Sequence, residues 1–91
     1  MRYSVELTDK ARKLLDKMDS QVSRRIRKWI NDNLEGCENP RLYGKALTGN
    51  FAGNWRYKTG DYRIIADIQD DKIIILVTDV GHRREIYRLN S

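Results

Sequence analysis

Three basic residues, Arg56, Lys58 and Arg63, lie close together in the segment GNWRYKTGDYR (53–63). Arginine is a permanent cation that binds phosphate through paired N–H donors, and a lysine amine becomes a general base when its pKa is lowered. Cleavage of RNA by its own 2′-hydroxyl needs a base for that hydroxyl and cations for the developing phosphorane charge. The segment therefore indicates a site for a phosphate-containing ligand.

Two lysines are candidates for the base. Lys58 or Lys45 would act as a base only if its pKa fell by about 3 from a usual value near 10.4. The neighbouring charges of Arg56 and Arg63 favour such a shift for Lys58. Because arginine does not readily release a proton, we predict Arg56, Arg63 and Arg83 as phosphate-binding residues.

The motif GHRREIY (81–87) adds further candidates at the end of an apolar run. His82 is a candidate acid or base, because histidine as a residue type exchanges a proton near neutral pH, although a lone histidine is more often structural. Tyr87 is predicted to stack on a base or to position the nucleotide, and Arg84 to contact RNA. Gly81 permits the bend that would bring these residues toward the segment 53–63.

Metal and cofactor chemistry finds little support in the sequence. The aspartates of the C-terminal half are scattered over predicted strands and turns, which argues against a two-metal nuclease. Cys37 and His82 are the single cysteine and the single histidine, so they cannot form a zinc cluster. Because there is also no glycine-rich phosphate loop, we predict neither a metal site nor a cofactor.

Length, charge and hydropathy limit the class of protein. The 91 residues carry a net charge of +5, which favours a polyanionic partner such as nucleic acid. The longest apolar run, IIILV at 73–77, is far shorter than a membrane span, and the N-terminus has no signal-peptide pattern. We therefore expect one cytoplasmic domain over residues 1–91 with no membrane partner.

Hydrophobic periodicity predicts the elements that hold these residues. Two amphipathic helices follow an N-terminal strand, the first capped at Thr8-Asp9 and the second beginning at Asp19 or Ser20 and ending at Gly36. Strands are predicted for residues 2–7, 51–58, 61–68 and 72–80, with a short one at 85–88, and residues 36–50 are predicted to be irregular. The expected α+β fold packs the two-helix hairpin on one face of a twisted antiparallel sheet of about four strands, followed by a short C-terminal segment.

The register of the hairpin predicts which residues share a face. A two-residue loop at Thr59-Gly60 pairs Tyr57 with Tyr62 and Arg56 with Arg63. The aromatic rings then face the helices, whereas the cations share the opposite face. With a tight turn at 70–71, the residues Ile74, Leu76 and Thr78 would add an apolar floor beside those cations.

A basic run on the second helix lies away from its apolar stripe. It comprises Arg24, Arg25, Arg27 and Lys28. Such a run is either a solvated helix face or a surface that contacts nucleic-acid phosphates, and the sequence is compatible with both.

The segment GNWRYKTGDYRIIADI followed by VGHRREIYR resembles the RelE/StbE group of bacterial toxins, within the RelE/ParE superfamily of type II toxin-antitoxin systems. The resemblance extends over nearly the whole chain, and it implies the fold described above. It further implies an endoribonuclease that enters the ribosomal A site and cuts mRNA without metal, leaving a 2′,3′-cyclic phosphate. A RelB-like antitoxin, through which such toxins reach operator DNA, would neutralise it.

The resemblance also implies roles for individual residues. The strand lysines of the family motif correspond to Arg56 and Lys58, and the other matched positions are Arg63, Arg83 and Tyr87. Arg56 departs from the family lysine, which leaves Lys58 as the better candidate for the base. Basic helical residues, including Lys10, Lys13, Lys17 and the run at 24–28, would contact 16S rRNA. The alternatives are a ParE-like toxin that binds DNA gyrase and a non-catalytic RNA-binding module that stacks bases on exposed rings.

Overall fold

A five-stranded sheet with two helices on one face forms the framework of the computed structural model, which describes residues 1–86. The elements are β1 (Ser4–Leu7), α1 (Asp9–Lys17), α2 (Ser20–Asn33), β2 (Gly44–Ala46), β3 (Trp55–Thr59), β4 (Tyr62–Gln69) and β5 (Ile74–His82). The strand order is β1-β5-β4-β3-β2, in which β1 is parallel to β5 and the other pairs are antiparallel. The predicted α+β architecture is confirmed.

The sheet differs from the prediction in strand number and direction. It has five strands and is mixed, because the N-terminal strand runs parallel to β5. β2 lies in the segment predicted to be irregular, and β3 begins at residue 55, four residues later than expected. Residues 83–86, in the region of the predicted last strand, form turns, and residues 87–88 lie outside the described residues. A three-residue strand such as β2 is too short to show the alternation that identifies strands.

Each helix begins at a residue whose side chain accepts backbone N–H bonds. Thr8 Oγ1 accepts from Ala11 N, and the Asp19 carboxylate accepts from the amides of Gln21 and Val22. Caps of this kind satisfy donors that have no partner in the first helical turn. Within residues 1–86, both helices are too short and too polar for a membrane span.

The hydrophobic core lies between the helices and the sheet. We call this side of the sheet the helical face and the other side the open face. Helix residues such as Leu15 and Ile26 pack against Tyr57, Ile64 and strand residues of β5, all nearly inaccessible to solvent. Trp55 and Tyr62 are partly buried against the same core. The prediction that the rings of the hairpin face the helices is therefore confirmed, and it disfavours a module that stacks RNA on exposed rings.

The hairpin turn lies one residue later than predicted. Thr59 pairs with Tyr62 across a turn at Gly60-Asp61, so that Lys58, and not Arg56, is opposite Arg63. Gly60 has φ of 58°, which the first central residue of a type II′ turn requires and glycine adopts without strain. The predicted pairing of Arg56 with Arg63 is wrong by two residues. Because side chains alternate with a period of two, the faces stay as predicted.

A β-bulge in β5 changes which side chains face the helices near the end of that strand. Ile65 pairs with Asp79 but Ala66 pairs with Val77, so Thr78 is the extra residue. Beyond the bulge Val80 faces the core, whereas Asp79 lies opposite Ile65 on the open face. Such an extra residue reverses the alternation of the strand and redirects its side chains.

The turn between β4 and β5 spans residues 70–73, longer than the predicted tight turn, and is held by an ionic network. The Asp70 carboxylate accepts two hydrogen bonds from the Arg41 guanidinium (3.1 and 2.8 Å) and one from Tyr3 Oη (2.6 Å). Donation by Arg41, and then by Tyr3, lowers the pKa of Asp70 to about 2. Between pH of about 4 and 2 the unfolded chain therefore binds more protons than the folded chain, so stability from this group is lost as pH falls through that range.

We expect Asp70→Asn to lower the melting temperature at pH 7, and the difference from the wild type to shrink as pH falls from 5 to 2. Acid protonates the Asp70 carboxylate of the wild-type protein, which then loses the stability that its ionised form provides. The variant has no carboxylate at this position and loses nothing by this route. Thermal unfolding followed by circular dichroism at several pH values measures this. Asp71→Asn, at the neighbouring exposed position, is the matched control. A difference in melting temperature that is the same at every pH would contradict the prediction.

Candidate active site

Four basic side chains from three adjacent strands lie on the open face. Lys45 of β2 is opposite Arg56 of β3, and Lys58 of β3 is opposite Arg63 of β4. We call Lys45, Arg56, Lys58 and Arg63 the basic cluster. Within residues 1–86 none of the four forms an ion pair with a carboxylate. Like charges opposite each other destabilise a strand pair, which favours an anionic ligand as their partner.

Lys58 is exposed at the centre of the cluster. The positive charges of Arg56 and then Arg63 lower the pKa of its amine, with a smaller contribution from Lys45. The shift has the direction that a general base requires, since a lower pKa increases the neutral fraction of the amine near pH 7.

The two arginines of the cluster differ in how their side chains are held. Arg63 Nη1 donates to the carbonyl oxygens of Gly60 (3.2 Å) and Tyr62 (3.1 Å), which keeps the guanidinium near the hairpin turn. Arg56 Nε is buried and has no hydrogen-bond acceptor among the described residues. A buried donor without an acceptor is costly, so a ligand oxygen at this position would be favourable.

Arg83 lies beside the same turn, as the sequence predicted. Its backbone N–H donates to the Asp61 carbonyl at 2.8 Å, and Nε is 3.8 Å from Asp61 Oδ1. The structure thus brings Arg83 near the hairpin that carries Lys58 and Arg63. Arg84 is exposed in the following turn, and Tyr87 lies outside the described residues.

His82 lies on the other side of the sheet from the basic cluster. It pairs with Tyr62, and the two rings meet edge to face with centroids 5.5 Å apart. Its Nδ1 accepts a hydrogen bond from the Arg84 backbone at 3.2 Å. The bulge at Thr78 explains the difference from the expected position, because beyond it the even-numbered residues Val80 and His82 face the helices.

The basic run of α2 is also separate from the cluster. All four residues are exposed on a helix that covers the helical face, whereas the cluster is on the open face. Arg27 pairs with Asp16 at 2.9 Å, and Lys28 pairs with Asp32 at 2.6 Å. Arg24 and Arg25 form no ion pair within residues 1–86, so they are the more available of the four for an anionic surface.

A groove that no pattern in the sequence predicted lies next to the cluster. The groove, which we call the side groove, has a volume of about 490 Å³. It is lined by Thr8, Lys10, Asn50, Phe51, Asn54, Ile65, Thr78 and Asp79. The feature of the sequence that could have indicated this groove is Asp79, a carboxylate within an apolar strand. In the structure Asp79 is only 4% exposed and pairs with Lys10 at 3.2 Å. Among the described residues, no group of histidine, cysteine, aspartate or glutamate side chains is placed to hold a metal ion.

Comparison with known proteins identifies the relatives of this chain. A family model described as the ParE toxin of type II toxin-antitoxin system, parDE, matches residues 5–87. Toxin RelG of Mycobacterium tuberculosis is 30% identical over 88 residues, which cover 97% of this chain and 99% of RelG.

Solved structures agree in fold along most of the chain. A chain of the toxin-antitoxin complex RelBE2 from M. tuberculosis is 26% identical with a TM-score of 0.80, covering 91% of this chain and 100% of that one. A mutant of the Escherichia coli toxin RelE in the free state is 26% identical with a TM-score of 0.74, covering 99% of this chain and 95% of that one.

Proposed function

Because this chain belongs to the RelE/ParE superfamily of type II toxin-antitoxin toxins, we propose that it is a ribosome-dependent mRNA endonuclease. The observation that carries the proposal is the position of Lys58, between two arginines on the open face, with a lowered pKa. A gyrase-binding toxin would not require such a cluster. The enzyme would act on mRNA in the A site, in the cytoplasm, without a metal or cofactor.

The proposed reaction uses the cluster as base and phosphate site. Lys58 removes the proton from a 2′-hydroxyl, whose oxygen attacks the adjacent phosphorus. The bond from phosphorus to the 5′-oxygen breaks, and the leaving oxygen takes up a proton from water while Lys58 returns its proton to the solvent. The products are a 2′,3′-cyclic phosphate and a 5′-hydroxyl. Arg56, Arg63 and Arg83 stabilise the extra negative charge of the phosphorane. Tyr87 would position the nucleotide, and we assign no step to His82 because it faces Tyr62.

We propose a RelB-like antitoxin as the protein partner. The similar structures from M. tuberculosis and E. coli include complexes named RelBE. An antitoxin that covers or distorts the open face would block access of mRNA to the cluster. Contact with operator DNA would occur only through the antitoxin. Arg24 and Arg25, together with Lys13 and Lys17, are our candidates for contacts with 16S rRNA.

Translation of a defined message in vitro with purified protein tests the proposed activity. Mapping of 5′ ends should show cuts within codons at the A site, and only when ribosomes are engaged. The same message incubated without ribosomes is the control. If the message stays intact while ribosomes are paused at every codon, the endonuclease proposal fails.

The proposed base makes a specific prediction about pH. Neutral Lys58 is the active form, so the single-turnover rate should rise with pH until the amine is deprotonated. Removing a neighbouring cation raises the pKa of Lys58, since Arg56 is the largest cause of its lowering. We expect Arg56→Gln to move the midpoint of the pH–rate profile to higher pH. Lys72→Gln, an exposed cation in the turn 70–73, should leave the midpoint unchanged, and a profile unaffected by Arg56→Gln would argue against Lys58 as the base.

Gyrase inhibition is the second candidate function, because the matching family model is described as a ParE toxin. A DNA supercoiling assay with purified gyrase separates the two. Inhibition of supercoiling by a protein that leaves translated message intact would favour this candidate. Inhibition lost in Lys58→Met would instead indicate that the cluster serves gyrase binding.

A further inference from the structure

The turn between β3 and β4 contacts two of the three arginines that stabilise the phosphorane in the proposed reaction. The carbonyl oxygens of Gly60 and Tyr62 accept hydrogen bonds from Arg63 Nη1 at 3.2 and 3.1 Å. Between these two residues, Asp61 contacts Arg83 through its backbone and through its side chain. One turn therefore holds two arginines that come from different parts of the chain.

The backbone of Arg83 is fixed by the sheet. His82, the last residue of β5, pairs with Tyr62, and the Arg83 N–H continues this pairing by donating to the Asp61 carbonyl at 2.8 Å. The turn that follows is anchored by Ile86, which is fully buried. The backbone leaves the guanidinium free to move, because the Arg83 side chain is 50% exposed and its charged end is several rotatable bonds away.

The Asp61 carboxylate provides a constraint on that guanidinium. Its Oδ1 lies 3.8 Å from Arg83 Nε, a distance that makes an ionic contact but is too long for a hydrogen bond. Nε is the guanidinium nitrogen nearest to the backbone. Contact at Nε leaves the terminal nitrogens Nη1 and Nη2 for the paired hydrogen bonds that arginine forms with phosphate.

A negative charge is unusual beside a phosphate site. Of the ion pairs within residues 1–86, the pair of Asp61 with Arg83 is the one that joins a carboxylate to an arginine assigned to the phosphate. A carboxylate repels an anionic ligand, and a tight turn also accepts the uncharged asparagine at such a position. Orientation of Arg83 is a benefit that offsets this repulsion.

We propose that Asp61 is a positioning residue for the reaction, and that its carboxylate orients the Arg83 guanidinium with its terminal nitrogens toward the phosphate. The inference rests on the proposed function, because it explains how one of the assigned phosphate-binding residues is held. Asp61 itself contacts neither the RNA nor Lys58. It acts through Arg83, so its effect on cleavage requires the Arg83 side chain.

The sign of the effect of Asp61→Asn separates positioning from simple repulsion. Asparagine suits a turn, so thermal unfolding should match that of the wild type. Single-turnover cleavage on stalled ribosomes should slow by about three- to tenfold, while the protein concentration that gives half the maximal rate stays the same. Asp61→Glu keeps the charge and should recover most of the rate. An unchanged or faster rate in Asp61→Asn would overturn the proposal, because the carboxylate would then only repel phosphate or do nothing.

A double-mutant cycle with Arg83→Gln determines whether the effect passes through Arg83. Asp61→Asn should slow the wild type but leave the residual rate of Arg83→Gln unchanged, because the group that it orients is then absent. Asp71→Asn removes an exposed carboxylate from the turn 70–73 and should change neither rate. A loss on Asp61→Asn that is equal in both backgrounds would overturn the proposal.

Side-chain NMR tests the positioning without the ribosome. The heteronuclear NOE of the Arg83 Nε–H group in 15N-labelled protein reports motion of that side chain on the picosecond to nanosecond timescale. We expect a lower NOE in Asp61→Asn than in the wild type, and recovery in Asp61→Glu. The Arg63 signal is the internal control, since that guanidinium is held by backbone carbonyls. Equal values for Arg83 in the wild type and Asp61→Asn would overturn the proposal.

These experiments separate this inference from the proposed function. If the wild-type protein cuts no message, the endonuclease proposal fails, and the NMR comparison alone decides whether Asp61 orients Arg83. If the wild-type protein cuts message and Asp61→Asn cuts it equally fast, the endonuclease stands and the positioning role fails.

Discussion

Replacing Lys58 by methionine is expected to slow cleavage of ribosome-bound message by about 100- to 10,000-fold, the usual contribution of a general base. Methionine keeps an unbranched side chain but has no amine to accept the 2′-hydroxyl proton. Because Lys58 is exposed, its replacement should leave folding stability within about 0.5 kcal/mol of the wild type. Single-turnover cleavage on stalled ribosomes measures the rate, and urea unfolding measures the stability.

Two further variants separate the role of the base from that of a cation. Lys58→Arg keeps the positive charge but does not readily release or accept a proton at neutral pH, so it should be nearly as slow as Lys58→Met. Lys72→Met removes a lysine from an exposed turn outside the cluster and should cut at the wild-type rate. Wild-type cleavage by Lys58→Arg would show that Lys58 only provides charge.

Replacing Tyr57 by alanine is expected to lower the free energy of unfolding by about 3–5 kcal/mol, the range found for buried aromatic residues. Tyr57 is fully buried and its ring lies 5.8 Å from that of Trp29, measured between centroids. Its hydroxyl donates to the Pro40 carbonyl, which would lose this partner. Chemical denaturation with a fluorescence readout measures the loss.

Tyr57→Phe divides this loss into ring and hydroxyl contributions. It keeps the ring but leaves a buried carbonyl without its donor, so the expected cost is about 1–3 kcal/mol. Thr59→Ser, at a partly exposed position of the same strand, should be within about 0.5 kcal/mol of the wild type. If Tyr57→Phe were as unstable as Tyr57→Ala, the hydrogen bond and not ring packing would dominate at this position.

Strand β3 carries both Tyr57 and Lys58. Tyr57 points into the core between Arg56 and Lys58, which point to the open face. Packing of the ring therefore anchors the strand segment that carries the two cations. A destabilised Tyr57 variant that still folds should show weaker binding of phosphate ligands, although residue 57 itself does not reach the open face.

Local patterns were sufficient to predict the helices, most of the strands and the two faces of the hairpin. Alternation from residue 55 to 58 and from 62 to 68 places rings and cations on opposite faces. That result does not change when the register slips by two, which is why the turn at Gly60-Asp61 left it intact. The pairing of Lys58 with Arg63, in contrast, depends on whether Gly60 is the first or the second central residue of the turn, and the alternation does not determine this.

Alternation along β3 and β4 is enough to place Arg56, Lys58 and Arg63 on one face, because the period of a strand is a local property. The surroundings of these three residues depend on the fold. The parallel pairing of β1 with β5 joins residues at opposite ends of the chain, the edge strand β2 adds Lys45, and the bulge at Thr78 turns His82 toward Tyr62 while it leaves Asp79 opposite Ile65. These features result from packing between distant segments, which no local periodicity encodes.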